Sequence, residues 1–213
     1  MTKSEKLALF NTGLYGITAE EYSNGKDNVT VVKEMLDAGI KIIQYREKEK
    51  EMGEKYRQCV AIGKLAKEAG ALFIVNDHMD IAVAVEADGV HIGQDDIPID
   101  MARKLVGEDM IIGLSTHSPE QGKEAIKKGA DYIGVGPIFK TFTKKNVCDP
   151  VGLEYLEYVV NNLSIPYVAI GGIKEHNIKE VSDKGAQCIC LVTDIVGADD
   201  IKDKVKKLKN IIR

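Results

Sequence analysis

The chain has 213 residues, of which 44% are hydrophobic and 29% charged; that balance excludes disorder and suits one large α/β domain or two small ones. A formal net charge of −4 excludes the broad basic surface that non-specific nucleic-acid binding needs, so cations that hold phosphate must be gathered locally. No run approaches the roughly 18 apolar residues of a membrane span, and the start MTKSEKLALFNTG has no signal-peptide core, which together predict a soluble, cytoplasmic protein.

Eight apolar, β-branched runs follow one another: LYGIT (14–18), IKIIQYR (40–46), LFIVND (72–77), GVHIG (89–93), IIGLST (111–116), YIGVGPI (132–138), YVAIGG (167–172) and CICLVTDI (188–195). Between them lie amphipathic stretches with helical spacing, among them 29–38, 56–69, 119–128, 153–161 and 177–184. Gly39, Gly70, Gly129 and Gly185 fall where helix C-caps are expected. Near-continuous apolar strands separated by helices predict a parallel sheet covered on both faces. Eight such units favour a single (β/α)8 TIM barrel, with an open doubly wound sheet as the alternative. The related segments ADGVHIG (87–93), ADYIGVG (130–136) and AQCICLV (186–192) suit radially equivalent units. No linker divides the chain, so residues 1–213 are read as one domain.

Of the four cysteines, Cys188 and Cys190 are two apart and on a strand would share one face, with Ile189 on the other. They read as small core residues in a reducing compartment and not as a metal site or disulfide. The lysine-rich segment from Lys202 to Lys209 alternates with apolar residues as a solvated helix face does.

In a barrel the chemistry sits at the carboxyl ends of the strands. There this sequence places Gln44, Arg46, Glu47 and Lys48, then Asn76 and Asp77, then Gln94, Asp95 and Asp96, then Ser115, Thr116 and His117. Thr141, Thr143 and Lys144 follow the sixth strand, Gly171 and Gly172 the seventh, and Thr193 and Asp194 the eighth. Asp77 and Asp96 are hard oxygen ligands suited to a Mg2+ that shares phosphate oxygens. Arg46, Lys48 and Lys144 are cations able to hold a diphosphate. Gly171–Gly172, the helix start near His176 and Val192–Thr193 suggest a second, neutral phosphate site. Glu47 and Asp95 also read as solvated loop residues, His91 as a hydrogen-bonded barrel-interior histidine, and His117 equally as a loop hydrogen-bonder or a contact.

The motifs QYREK (44–48), ND (76–77), GVHIGQDD (89–96), GLSTH (113–117), GPIFKTFTK (136–144) and AIGGI (169–173) resemble the thiamine-phosphate synthase family, over nearly the whole chain. The resemblance implies that Gln44, Tyr45, Arg46, Glu47, Lys48, Asn76, Ser115 and Lys144 bind a pyrimidine diphosphate, and that Asp77 and Asp96 hold one Mg2+. It implies that Thr141, Phe142, Thr143, Gly172, Val192 and Thr193 contact a thiazole phosphate. The sequence departs from the family at Thr193, where Ser is usual, and at Asp194, where a small residue is usual; a carboxylate beside a phosphate site must point away or be offset.

The implied reaction joins 4-amino-2-methyl-5-(diphosphooxymethyl)pyrimidine to 4-methyl-5-(2-phosphoethyl)thiazole, giving thiamine phosphate and diphosphate through a carbocation-like path. Arg46, Lys48 and Lys144 are its expected catalytic cations. Two rivals stand beside it: a relative on the same barrel using His91 or His117 as acid or base, and a non-catalytic ligand-binding regulator. The intact cation and carboxylate set argues against both. Residues 136–150 are the longest candidate lid. A homo-oligomer is compatible with the sequence, which does not fix the oligomeric state.

Overall fold

Buried apolar runs too short for helices pair side by side, and each is followed by a helix that covers the sheet's outer face. The computed structural model describes residues 1–143 and 148–212. β1 consists of Gly13–Leu14 and Gly16–Ile17, two halves of one strand interrupted at Tyr15. It is followed by β2 (Ile42–Tyr45), β3 (Leu72–Asn76), β4 (Gly89–Ile92), β5 (Ile111–Thr116), β6 (Tyr132–Val135), β7 (Tyr167–Ile170) and β8 (Cys188–Cys190). All neighbours are parallel and in chain order. The first half of β1 pairs with β8 and the second half with β2, which closes the barrel. The expected barrel is therefore the observed one, and the open sheet is set aside.

The outer layer is α2 (Asn28–Asp37), α3 (Met52–Glu68), α4 (Met79–Ala84), α5 (Ile99–Val106), α6 (Pro119–Lys127), α7 (Gly152–Asn162), α8 (Ile178–Asp183) and α10 (Ile201–Ile211); α1 (Lys3–Ala8) precedes the barrel and α9 (Val192–Val196) follows β8. Caps fix several starts: Asp27 accepts from the Thr30 N–H at 2.8 Å, and Ser118 accepts from the Gln121 N–H at 3.3 Å ahead of Pro119. The four expected C-cap glycines all have positive φ; at Gly39 (φ 80°) and Gly129 (φ 89°) a side chain would be strained. The last apolar run is shorter as a strand than its sequence suggests. Val192–Val196 is helical, because an unbroken apolar run is buried equally well in either geometry and its periodicity does not discriminate.

Alternation along the strands separates two cores. Tyr15, Ile17, Ile42, Leu72, Ile74, Ile111, Tyr132, Val168, Cys188 and Cys190 fill the barrel with Phe10, while Ile43, Tyr45, Phe73, Val75, Val90 and Ile189 face the helices. Cys188 and Cys190 thus share the inner face and Ile189 the outer, as expected. Phe10 stops the amino end of the barrel, its ring centroid 4.5 Å from that of Tyr132. The repeated Ala-Asp segments are also explained. Asp88 accepts the Phe73 N–H of the preceding strand at 3.0 Å, and Asp131 accepts the Ile112 N–H at 2.8 Å. Both carboxylates are paired with lysines of α1, Lys6 with Asp88 and Lys3 with Asp131, which ties that helix across the amino end. No described helix is long and apolar enough to cross a membrane.

Candidate active site

At the carboxyl end of β2 the chain leaves the sheet with Gln44 directed inward and the Arg46 N–H donating to Thr18 Oγ1 at 2.8 Å. Glu47 accepts the Glu20 N–H at 3.1 Å, tying the loop after β1 to the loop after β2. The Lys48 ammonium pairs with Asp77 across the exits of β2 and β3. Asp77 itself sits at φ 62°, the left-handed region that short polar side chains tolerate, and its N–H is held by the His91 carbonyl at 2.9 Å. Behind this pair Lys55 is only 5% exposed, with Nζ donating to the Lys48 carbonyl at 3.2 Å and lying 3.1 Å from His78 Nε2. Burial, followed by the nearby Lys55 charge, pushes the His78 pKa down, which favours a neutral ring that accepts from Lys55.

Asp96, after β4, accepts the Gly93 N–H at 2.6 Å. Among the described residues no group of three or more His, Cys, Asp or Glu side chains is gathered to hold a metal. Two carboxylates from adjacent strand exits, one of them already drawing an ammonium, match the needs of Mg2+. That ion characteristically takes one or two carboxylates and fills its other positions with water and phosphate oxygens.

Below the mouth lies a continuous set of buried polar contacts. Gln44 Nε2 is 2.8 Å from Tyr15 OH, Tyr15 OH is 3.1 Å from Tyr132 OH, Tyr132 OH is 2.8 Å from His91 Nδ1, and His91 Nε2 is 3.0 Å from Ser115 Oγ. Burial raises both tyrosine pKa values, so both phenols keep their protons.

On the far side of the mouth, residues 137–140 run against Gly171–Gly172. A Cβ on Gly171 would lie 2.4 Å from Pro137 Cα, and one on Gly172 would lie 2.6 Å from the Lys140 carbonyl oxygen. The two glycines are thus required for close backbone approach, a reason separate from access for an anion. Lys174 Nζ reaches both Thr193 Oγ1 and, at 3.1 Å, Asp194 Oδ1. Asp194 Oδ2 accepts the Glu175 N–H at 2.8 Å.

The chain and its barrel have close counterparts. A model of the family described as thiamine monophosphate synthase matches residues 14–195. The chain is 65% identical over 204 residues to a thiamine-phosphate synthase of Pelotomaculum thermopropionicum, covering 96% of this chain and 94% of that one. The chain belongs to the thiamine monophosphate synthase family. A thiamine-phosphate synthase of Caldicellulosiruptor saccharolyticus is 55% identical over 214 residues, covering 100% of this chain and 97% of that one. The structure of a thiamine phosphate pyrophosphorylase from Pyrococcus furiosus superposes with a TM-score of 0.87 at 38% identity, covering 96% of this chain and 97% of that one. The activity is that of the thiamine monophosphate synthase family, a transferase activity in thiamine biosynthesis.

For a thiamine monophosphate synthase, the strand exits bring most of the expected residues to one end. Gln44, Arg46, Glu47, Lys48, Asn76, Asp77, Asp96 and Ser115 follow or end β2 to β5, and Gly172, Val192 and Thr193 follow β7 and β8. The Tyr45 side chain lies apart from the others. It is 1% exposed in the outer core, its hydroxyl donating to Gln58 Oε1 at 2.8 Å, because strand alternation turns its side chain away from Gln44 and the mouth. Phe142 projects outward at 80% exposure, with Lys140 Nζ 5.4 Å from its ring centroid. Thr141 and Thr143 bond each other at 3.2 Å. Lys144 lies outside the described residues, as does part of the 136–150 segment. His91 is the hydrogen-bonded interior histidine the sequence suggests. His117 is the loop hydrogen-bonder, with Nδ1 donating to the Gly136 carbonyl at 2.5 Å. Sequence reasoning missed Lys55, Lys174, Tyr15 and Tyr132.

Proposed function

We propose that residues 1–213 act as one cytoplasmic barrel domain that joins 4-amino-2-methyl-5-(diphosphooxymethyl)pyrimidine to 4-methyl-5-(2-phosphoethyl)thiazole. Arg46, Lys48 and Lys144 receive the diphosphate as the C–O bond breaks, and fixed cations at the mouth stabilise the growing charge. Asp77 and Asp96 would hold Mg2+, which when bound supplies further neutralisation of the diphosphate oxygens. The aminopyrimidine spreads positive charge from its exocyclic methylene, so the bond can break before the thiazole nitrogen attacks. Gln44, Glu47, Asn76 and Ser115 orient the pyrimidine, while Thr141, Phe142, Thr143, Gly172, Val192 and Thr193 anchor the thiazole phosphate. Orientation and electrostatics suffice, and no protein nucleophile takes part.

The observation that carries this reading is the Lys48–Asp77 contact across the exits of β2 and β3, with Asp96 at the exit of β4. The same groups that pair with one another are those that a metal-bound diphosphate needs. Purified protein given both substrates and Mg2+ is expected to release thiamine phosphate and diphosphate in equal amounts, with little product when the metal is chelated. Absence of product in the presence of Mg2+ overturns the reading.

A further inference from the structure

We propose that Tyr15, Tyr132 and His91 are positioning residues, forming a proton-ordered chain that presents the Ser115 hydroxyl to the mouth as a hydrogen-bond donor. The kinetic consequence rests on the reaction proposed above; the proton order does not.

The proposed order starts from Gln44, the one group of the chain whose direction is fixed. Gln44 Nε2 can only donate, so at 2.8 Å Tyr15 OH accepts from it. Tyr15 then directs its own hydrogen to Tyr132 OH at 3.1 Å, and Tyr132 directs its hydrogen to His91 Nδ1 at 2.8 Å. In the proposed order Nδ1 accepts, which puts the imidazole hydrogen on Nε2, 3.0 Å from Ser115 Oγ. Ser115 accepts that hydrogen and has one of its own to give. The hydrogen Ser115 has left to give favours an acceptor in the ligand atom facing it, such as a ring nitrogen of an aminopyrimidine.

Two strand glycines clear the path. A Cβ at Gly113 would lie 2.1 Å from Tyr132 Cζ, and one at Gly134 would lie 3.3 Å from His91 Cε1. Both glycines are on β5 and β6, in register with the chain: His91 pairs with Gly113, and Ser115 with Gly134. A barrel interior built for packing alone would fill those positions with side chains. Here small residues alternate with aromatic ones that carry hydroxyls.

Long-range nitrogen–proton NMR on the whole protein tests the order directly. The expected His91 signature is protonated Nε2 and bare Nδ1; a proton on Nδ1 overturns the proposal. In kinetics, Tyr132→Phe keeps the ring against Phe10 but removes the hydroxyl. It is expected to raise KM for the pyrimidine diphosphate about three- to tenfold, the size of one neutral hydrogen bond, with KM for the thiazole phosphate changed by less. Combined with Ser115→Ala, it is expected to add nothing to the effect of Ser115→Ala alone. Additive losses, or equal shifts in both KM values, would mean that Tyr132 merely packs and would overturn the proposal. If Tyr132→Phe does not fold, Tyr15→Phe interrupts the same chain one contact earlier. A wild-type protein without synthase activity would defeat the proposed reaction and leave the NMR test standing.

Discussion

Replacing Asp77 with asparagine separates charge from shape at the β3 exit. Asparagine tolerates the left-handed backbone seen at Asp77 (φ 62°), whereas alanine would add about 1–2 kcal/mol of backbone strain. The Lys48–Asp77 pair has side chains 50% and 23% exposed, so solvent screening limits its contribution to roughly 0–1 kcal/mol. For a chain of this size that corresponds to a melting shift of no more than about 4 °C. The metal should be far more sensitive. Even residues outside a metal's coordination shell change affinity about 10- to 100-fold, so losing one of two carboxylates is expected to move the Mg2+ midpoint at least tenfold upward. Initial rates measured against Mg2+ at saturating substrates, beside a thermal melt, give both quantities. An unchanged metal titration with intact folding would refute the assignment of Asp77, and a melting loss that tracks the activity loss would point to a purely structural role.

Gly113→Ala should overpack the barrel interior, because the buried Tyr132 ring, 4.5 Å from Phe10, has little room to yield. The expected cost is about 1–3 kcal/mol, or a melting point lower by roughly 2–12 °C; a wild-type melt would contradict the described packing. Lys144→Ala should lower turnover about a hundredfold, the usual scale for removing one charge-stabilising group, with little change in melting; equal loss of both argues against a catalytic cation. Of the four cysteines, Cys148 is exposed and Cys59, Cys188 and Cys190 are buried, with burial pushing the Cys59 pKa up to about 12 and the other two upward. A thiol reagent at pH 8 should therefore label Cys148 alone until denaturant is added, and early labelling of a second thiol would contradict the packing. The buried thiols stay protonated in the fold while unfolded thiols ionise from about pH 8.5. Stability is thus intact below that pH and falls as the pH rises from there, which a melt series above pH 8 would record.

The barrel was legible because each strand is a short apolar run and several helix ends carry a glycine. What failed did so for local reasons. The run CICLVTDI reads as one strand, yet its second half is helical, since burial on all sides erases the periodicity that would distinguish the two. Tyr45 looked like part of a contiguous QYREK motif, but a strand shows alternate residues to opposite faces, so only Gln44 of that pair turns inward. Asp194 looked misplaced beside a phosphate site; the missing information was Lys174, twenty residues earlier, which pairs with it. Nothing in the runs LYGIT and YIGVGPI sets Tyr15 and Tyr132 apart from core residues. The available hint was glycine inside strands at Gly113 and Gly134, positions where an apolar side chain would otherwise be expected. The strand-exit residues were readable as a set, but nothing linear in the sequence records that Lys55 comes to lie behind Lys48.

The seam of the barrel joins its first and last strands. Tyr15 donates its N–H to the Ile189 carbonyl at 3.0 Å, so neither barrel edge is satisfied until the first and last strands meet. Tyr15 is also the phenol next to Gln44 in the buried polar chain. Closure of the barrel and ordering of the floor beneath the mouth are consequently coupled, and a barrel lacking the Cys188–Cys190 strand would have an open side and an unaligned set of hydroxyls.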